Sequence, residues 1–203
     1  MPLPSRPMCN LYTQTKSVDE VAAIFRGLQM PLTFPEGIPN LAPRDIRITE
    51  PAPIVRAGSE PGSFELVVRR WSWPAPNGKP VYNFRSEGRS FPNGRCLAIA
   101  DGFYEFTTPQ DPKQKAKDRW LFSAAEHPLV AIAGLTRSNP QVGEAFTLLT
   151  AEPGDDVSPY HNRQVVILPP TDWRAWLTHA VPERDLLKAT PTGTLTVCAA
   201  PRS

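Results

Sequence analysis

Four short segments of this chain carry more reactive groups than a core or a loop needs. They are Met8-Cys9-Asn10, Asn83-Phe84-Arg85-Ser86-Glu87, Asp101-Gly102-Phe103-Tyr104-Glu105 and Tyr160-His161-Asn162-Arg163. Together they supply a thiol, an amide, a carboxylate, an imidazole and a pair of guanidinium groups. A thiol beside an imidazole is a nucleophile with its base. A carboxylate or an imidazole can carry protons, and arginines fork onto phosphates. Each residue also has a plainer reading. Cys9 is of a type usually found as a small buried apolar residue. Glu105 points inward by alternation beside aromatic neighbours, where a carboxylate needs a partner or a raised pKa. Arg85 or Arg95 could be that partner. Asn83 suits a turn and His161 an ordinary loop. His127 and His179 read as surface histidines, and Cys96 and Cys198 as core residues in apolar runs.

The elements that must hold these groups are mostly strands. Residues 17–28, SVDEVAAIFRGL, predict one short helix, with Ser17 and Glu20 forming a capping box. Val21, Ile24, Phe25 and Leu28 make its apolar stripe. Residues 46–56 and 64–73 read as strands. GRCLAIADGFYEF (94–106) reads as strand, tight turn at Asp101-Gly102, then strand. After a polar loop at 109–119, residues 120–124 and 129–136 predict a hairpin around Glu126-His127-Pro128. Further strands are expected at 145–150, 163–168 and 194–199. A helix capped by Thr171 or Asp172 is expected at 171–178, and a last helical turn at 183–189. Nothing resembles alternating βαβ units, so the class is α+β: one β-rich domain with a few short helices.

Bulk composition excludes several alternatives. The balance of 40% hydrophobic and 21% charged residues is that of a soluble globular chain. No apolar run approaches the ~20 residues of a membrane span, and the start, MPLPSRPMCN, lacks the apolar stretch of a signal peptide. A cytoplasmic monomer is the expectation. Three cysteines make no disulfide framework, and without a CxxC or HxxxH pair neither a metal nor another cofactor is expected. A net charge of +2 does not argue for nucleic acid by itself, although the basic residues are mostly arginines, which suit phosphate. The 25 prolines are spread along the chain and argue for short strands and loops over long helices.

The segments fall into a known pattern. Met8-Cys9-Asn10-Leu11-Tyr12, Asn40-Leu41-Ala42-Pro43, Arg70-Trp71, NFRSEG at 83–88, GRCLAIADGFYEF at 94–106 and PYHNRQVVILPPTDWRAWL at 159–177 occur in order. With them the chain resembles the SOS response-associated peptidase (SRAP) family, the abasic-site shielding proteins. The resemblance implies a barrel-like core of antiparallel sheets and a groove for single-stranded DNA. It implies Cys9 as nucleophile, acting through its α-amine and thiol, with Asn83, Glu105 and His161 completing the active site. Arg85 and Arg163 match phosphate contacts, and Pro43 and Trp71 match residues that wedge against bases beside the lesion. Three departures stand out. Eight residues precede the cysteine, which in the family directly follows the initiator methionine. Residues 1–8 are therefore read either as a propeptide the protein clips itself or as a start upstream of the true one at Met8, ahead of a SRAP-like domain at 9–203. Asn10-Leu11 replaces the common Gly-Arg, and Trp71-Ser72-Trp73-Pro74 replaces the commoner Trp-Gly-Leu-Ile-Pro.

The chemistry follows from the residue type. An N-terminal cysteine presents an amine and a thiol one carbon apart. The amine adds to the aldehyde of an abasic site to give an imine, and the thiol then closes a thiazolidine ring. An α-amine with a pKa of about 7.7–8.0 is partly neutral at pH 7, unlike a lysine. By residue type alone Trp71 reads as core packing; the resemblance has Trp71, or Trp73, stack on a base, with Trp120, Trp173 and Trp176 left to packing. The expected partner is thus single-stranded DNA carrying abasic sites. The rivals are a cysteine peptidase that cleaves residues 1–8 from itself and a non-catalytic strand binder. Strand cleavage by β-elimination from the imine, a lyase reaction, is the expected side activity.

Overall fold

The structure, a computed structural model, describes residues 9–111 and 113–201. The expected leader at 1–8 lies outside the described residues. In chain order the elements are β1 (Leu11–Gln14), α1 (Val18–Gly27), β2 (Leu32–Thr33), β3 (Arg44–Arg47), β4 (Pro51–Ala57), β5 (Phe64–Trp71), β6 (Trp73–Pro74), β7 (Pro80–Val81) and β8 (Asn83–Arg85). There follow β9 (Arg95–Ala100), β10 (Gly102–Thr107), β11 (Asp118–Ala124), β12 (Val130–Asn139), β13 (Gly143–Ala151), β14 (Gln164–Val165), β15 (Ile167–Leu168), α2 (Pro170–Leu177), α3 (Glu183–Leu186) and β16 (Leu195–Ala199). The fold is α+β and β-rich, as the sequence predicts. Among the described residues no helix is long and apolar enough to cross a membrane.

The centre is a closed ring. β4 pairs β9, β9 pairs β12, β12 pairs β13 and β4 pairs β5, all antiparallel. A parallel pairing of β5 with β13, Trp71 beside Phe146, closes it. Both faces of β9 are buried. Cys96, Ala98 and Ala100 join one apolar cluster with Ile54, Val67 and Leu148 inside the ring. Leu97 and Ile99 join the other, outside, under Phe25 of α1 and Trp173 and Trp176 of α2. A ring of few strands has a narrow lumen, which the small residues of β9 fit. A Cβ on Gly134 would meet the Thr147 carbonyl oxygen at 2.8 Å and Cys96 Sγ at 3.0 Å.

A second, five-stranded sheet runs β16-β11-β10-β1-β3. Tyr12, Ile46, Phe103 and Phe122 belong to the cluster inside the ring, so this sheet covers it. The chain passes between the sheets at two corners. At one, the strand expected over 46–56 breaks into β3 and β4. Thr49 there has φ 77° and Arg47 N–H donates to Glu50 Oε2 at 2.9 Å. At the other, the expected Asp101-Gly102 turn joins strands in different sheets. Asp101 N–H donates to Thr13 O at 2.8 Å, and the Asp101 carboxylate accepts from Thr15 N–H.

Several expectations need correction. β11 and β12 do not form a hairpin: β11 pairs β10 and β16, whereas β12 pairs β9, β13 and β15. Burial of both faces of β12 draws it into the ring. α2 starts at Pro170 with Pro169 as N-cap, not with Thr171 or Asp172. Proline fits the first helical position because it has no N–H to lose, and Asp172 falls in the first turn, where the dipole favours it. Cys198 is exposed, because β16 is an edge strand. α1 has the predicted capping box in full.

Candidate active site

Cys9 lies just ahead of β1, a strand flanked on both sides by β10 and β3. It is 1% exposed. Its thiol donates weakly to Leu11 O at 3.5 Å. Asn83 Nδ2 donates to Cys9 O at 2.9 Å. The Cys9 backbone also hydrogen-bonds the Glu105 carboxyl, so the residue is gripped at both ends of its backbone. The ring closure explains how Asn83 arrives there. β13 pairs β5 only through Ala145 and Phe146, and from Leu148 to Thr150 that edge is taken by β8. Asn83 therefore enters at the end of the barrel where one partner strand gives way to another.

Glu105 is 1% exposed, on β10 opposite Trp120. Burial lifts its carboxyl to about 8, against the opposing pull of the Cys9 backbone hydrogen bond. Neither Arg85 nor Arg95 pairs with it. Arg95 binds Glu183 at 2.8 Å instead, and Arg85 is exposed. The Cys9 thiol is also raised, first by burial and then by the Glu105 charge, with backbone hydrogen bonds at Leu11 and Tyr104 opposing. Both groups are therefore protonated at neutral pH. Glu105 Oε1 and Asn83 Oδ1 are buried with no hydrogen-bond partner among the described residues. Leaving a buried polar atom unsatisfied costs about 1–3 kcal/mol, and both of these belong to side chains that bind the Cys9 backbone.

His161 is 4% exposed, on the loop between β13 and β14. Its Nδ1 lies 3.1 Å from Arg163 N and 3.0 Å from Arg163 O, contacts that suit alternative tautomers. Next to it, Tyr160 packs on Trp120 and Phe122 at 5.0 and 5.3 Å between ring centres. This loop thus rests on the strand that pairs with that of Glu105. Arg163 is held by Glu87 Oε1 and Oε2 at 2.5 and 2.8 Å and by Thr150 O at 2.9 Å. That hydrogen bond holds the Glu87 carboxyl below its usual range. Arg85, on the same β8–turn segment as Glu87, is open to solvent.

The remaining predicted residues fare differently. Pro43 is exposed, one residue before β3. Trp71 is 0% exposed, with Nε1 donating to Tyr82 O at 2.9 Å and its ring 5.0 Å from that of Tyr12. That placement offers no face to a base, and the wedge expectation for Trp71 is corrected to core packing. Trp73 is nearly as buried. Trp173 and Trp176 are packed as expected, and Trp120 is half-buried. Tyr82 was not foreseen. Its hydroxyl is raised by burial and then by the Cys9 and Glu105 charges, which sets it in the electrostatic reach of the site. Its position beside Asn83 is the only sequence signal for it. Among the described residues no cluster of three or more His, Cys, Asp or Glu could hold a metal.

Comparison with known proteins agrees with this architecture. Three solved structures share the fold. A protein from Bordetella bronchiseptica is 22% identical, with TM-score 0.68 over 96% of this chain and 100% of the other. A phage-related protein from the same organism is 20% identical, with TM-score 0.71 over 96% and 95%. A protein from Bacteroides thetaiotaomicron is 16% identical, with TM-score 0.68 over 96% and 93%. No curated protein matches. The family model described as SOS response associated peptidase (SRAP) matches residues 8–200. Its name ties its members to the DNA-damage response and implies peptidase-like chemistry. The match spans nearly the whole chain, and the protein belongs to the SRAP family.

Proposed function

We propose that this protein crosslinks to abasic sites in single-stranded DNA through a thiazolidine formed on Cys9. The observation that carries the reading is the grip on Cys9: Asn83 on its carbonyl at 2.9 Å, and on its other side a buried carboxyl raised to about 8. The reading requires a free α-amine on Cys9, and hence either removal of residues 1–8 or synthesis from Met8. A reaction sequence balances without outside protons. His161 protonates the deoxyribose ring oxygen and takes up the proton of the C1 hydroxyl, which opens the sugar to its aldehyde and leaves the imidazole as it began. The Cys9 amine adds to the carbonyl carbon, and the resulting hydroxyl leaves as water with the proton of Glu105. The iminium carbon is then attacked by sulfur, and the thiol proton returns to Glu105. The acid form of Glu105 expected at neutral pH suits this order, donor first and acceptor second. Asn83 fixes the cysteine backbone so that amine and thiol face one carbon. Arg85, Arg163 and the exposed Pro43 would line the strand.

The peptidase alternative needs a Cys9 thiolate paired with the His161 imidazole. The groups acting on the thiol push it towards the protonated form, which favours the crosslinking order. The experiment is a denaturing gel of the protein, starting at Cys9, with an oligonucleotide bearing one abasic site. A stable adduct is expected. Cys9→Ser, with the amine but no thiol, should give only an imine that borohydride traps. An adduct equally stable with serine rules out the thiazolidine, and no adduct in either protein rules out the function.

A further inference from the structure

On the face of β8 opposite Asn83 lies a second feature that the crosslinking chemistry does not use. Successive side chains of a strand point to opposite faces. Asn83 reaches Cys9, and Phe84 turns the other way, towards the cluster outside the ring. Two clefts of ≈ 480 Å³ each meet there, sharing Trp73, Phe84 and Arg137 as lining. Arg89 lines one of them and sets its guanidinium over the Phe84 ring at 4.4 Å. Phe91 fixes Phe84 edge-on at 6.3 Å. Arg89 and Arg137 are exposed, and neither has an ion pair among the described residues. The nearby carboxylates are taken: Glu87 by Arg163, and Glu183 by Arg95.

A single turn joins Arg85, assigned above to the strand, to Arg89 on the rim of the clefts. Arg85 and Arg89 stand at the two ends of one turn, closed by Arg89 N–H to Ser86 O at 3.3 Å and by Gly88 at φ 67°. Glu87 in the middle of that turn holds Arg163. An aromatic floor with unneutralised arginines is the composition that takes nucleic-acid bases and phosphates together. We infer that the Phe84–Arg89–Arg137 clefts form a second binding segment for the single strand beyond the lesion. One base stacks beside Phe84, and Arg89 and Arg137 take the phosphates that flank it. This inference rests on the crosslinking reading for the identity of the strand.

The test compares Arg89→Ala/Arg137→Ala with the parent by fluorescence anisotropy, using an undamaged single strand of about 20 nucleotides, longer than one binding segment. Arg26→Ala on the outside of α1 is the charge control. The double variant should bind roughly tenfold more weakly, with the slope of log affinity on log salt flatter by about 1.4, as two lost phosphates require. Phe84→Leu, which keeps the packing but not the aromatic face, should weaken binding by about fivefold or more without changing the salt slope. Crosslinking to an abasic oligonucleotide of about 5 nucleotides, too short to span both segments, should be unchanged in every variant. If the double variant matches Arg26→Ala while the parent binds and crosslinks, this inference falls alone and the clefts belong to another ligand. If the parent neither binds nor crosslinks single strands, the functional reading falls with it.

Discussion

Glu105 and Glu144 are both carboxylates drawn away from water, at different places on the barrel, and they are treated in opposite ways. Glu144 accepts from Arg56 Nη1 at 2.8 Å on each oxygen and from Arg69. Arg69 also binds Glu36 at 2.6 Å, and Arg56 binds Glu65 at 3.2 Å. Burial pushes the Glu144 carboxyl up, but the Arg69 hydrogen bond and the two guanidinium charges outweigh it, and the net direction is down. Glu105 has no ion pair with an arginine among the described residues and stays protonated up to about 8. A carboxylate that only has to hold strands together is neutralised by arginines. The one to which the proposed function gives proton exchange is buried and left its proton. The difference lies in the neighbours, since both side chains come from ordinary β-strands.

This contrast can be attacked experimentally, beginning with the largest effect. Glu105→Gln should slow crosslinking by about 10²–10⁴-fold, the usual worth of a positioned acid–base, and Glu144→Gln should leave the rate alone. Comparable losses in both would erase the distinction. In the parent the rate should rise as the Cys9 amine loses its proton near pH 8. Glu105 ionises over the same range, so the rate should peak near pH 8 and fall above it. Stopped-time gels from pH 5 to pH 10 would show this, and the alkaline fall should vanish in Glu105→Gln.

Stability should move the other way. Glu105 has its pKa raised on folding, so its contribution is complete below its unfolded pKa, near 4.3, and is lost as pH rises towards about 8. Glu105→Gln should therefore be more stable than the parent at pH 9, by about 1–2 kcal/mol, since burying an unpaired amide offsets part of the gain. Glu144 has its pKa lowered, so its contribution holds above the unfolded pKa and is lost as pH falls through the folded one. Glu144→Gln should cost about 1–2 kcal/mol at pH 7, a figure discounted because the group is partly exposed, and the cost should shrink in acid. Urea melts at three pH values would decide both signs. The smallest effect is expected of Arg85→Ala, which should weaken single-strand binding by a few-fold and flatten the salt slope by about 0.7.

Much of this was legible in the residues, and the failures share one cause. The α1 helix was readable because capping box and apolar stripe are local. β9 and β10 were readable because alternation and an Asp-Gly corner are local too. Which strand pairs with which is not local. Five residues between β11 and β12 look like a hairpin loop, yet the two strands sit in different sheets. β1 was missed because LYTQ is short and mixed, although it carries Cys9 into the site. At the site, the residue types of Cys9, Asn83, Glu105 and His161 suggested chemistry but not their arrangement, in which Asn83 and Glu105 both bind the Cys9 backbone. Whether an arginine meets Glu105 depended on Arg95 turning to Glu183 instead. Only the resemblance offered Trp71 to a base; its residue type read as core packing, and it is enclosed by Tyr12 and Tyr82. Cys198 sits in the apolar run LTVCA, but on the edge strand β16, where it is exposed.

The most direct test is the intact mass of protein beginning at Cys9, taken before and after incubation with a short single strand holding one abasic site. The account predicts one new species, equal to protein plus oligonucleotide less one water, without reductant and absent from Cys9→Ala. Protein that keeps its original mass with a free Cys9 amine, or that gains the oligonucleotide equally well with alanine at position 9, would contradict it.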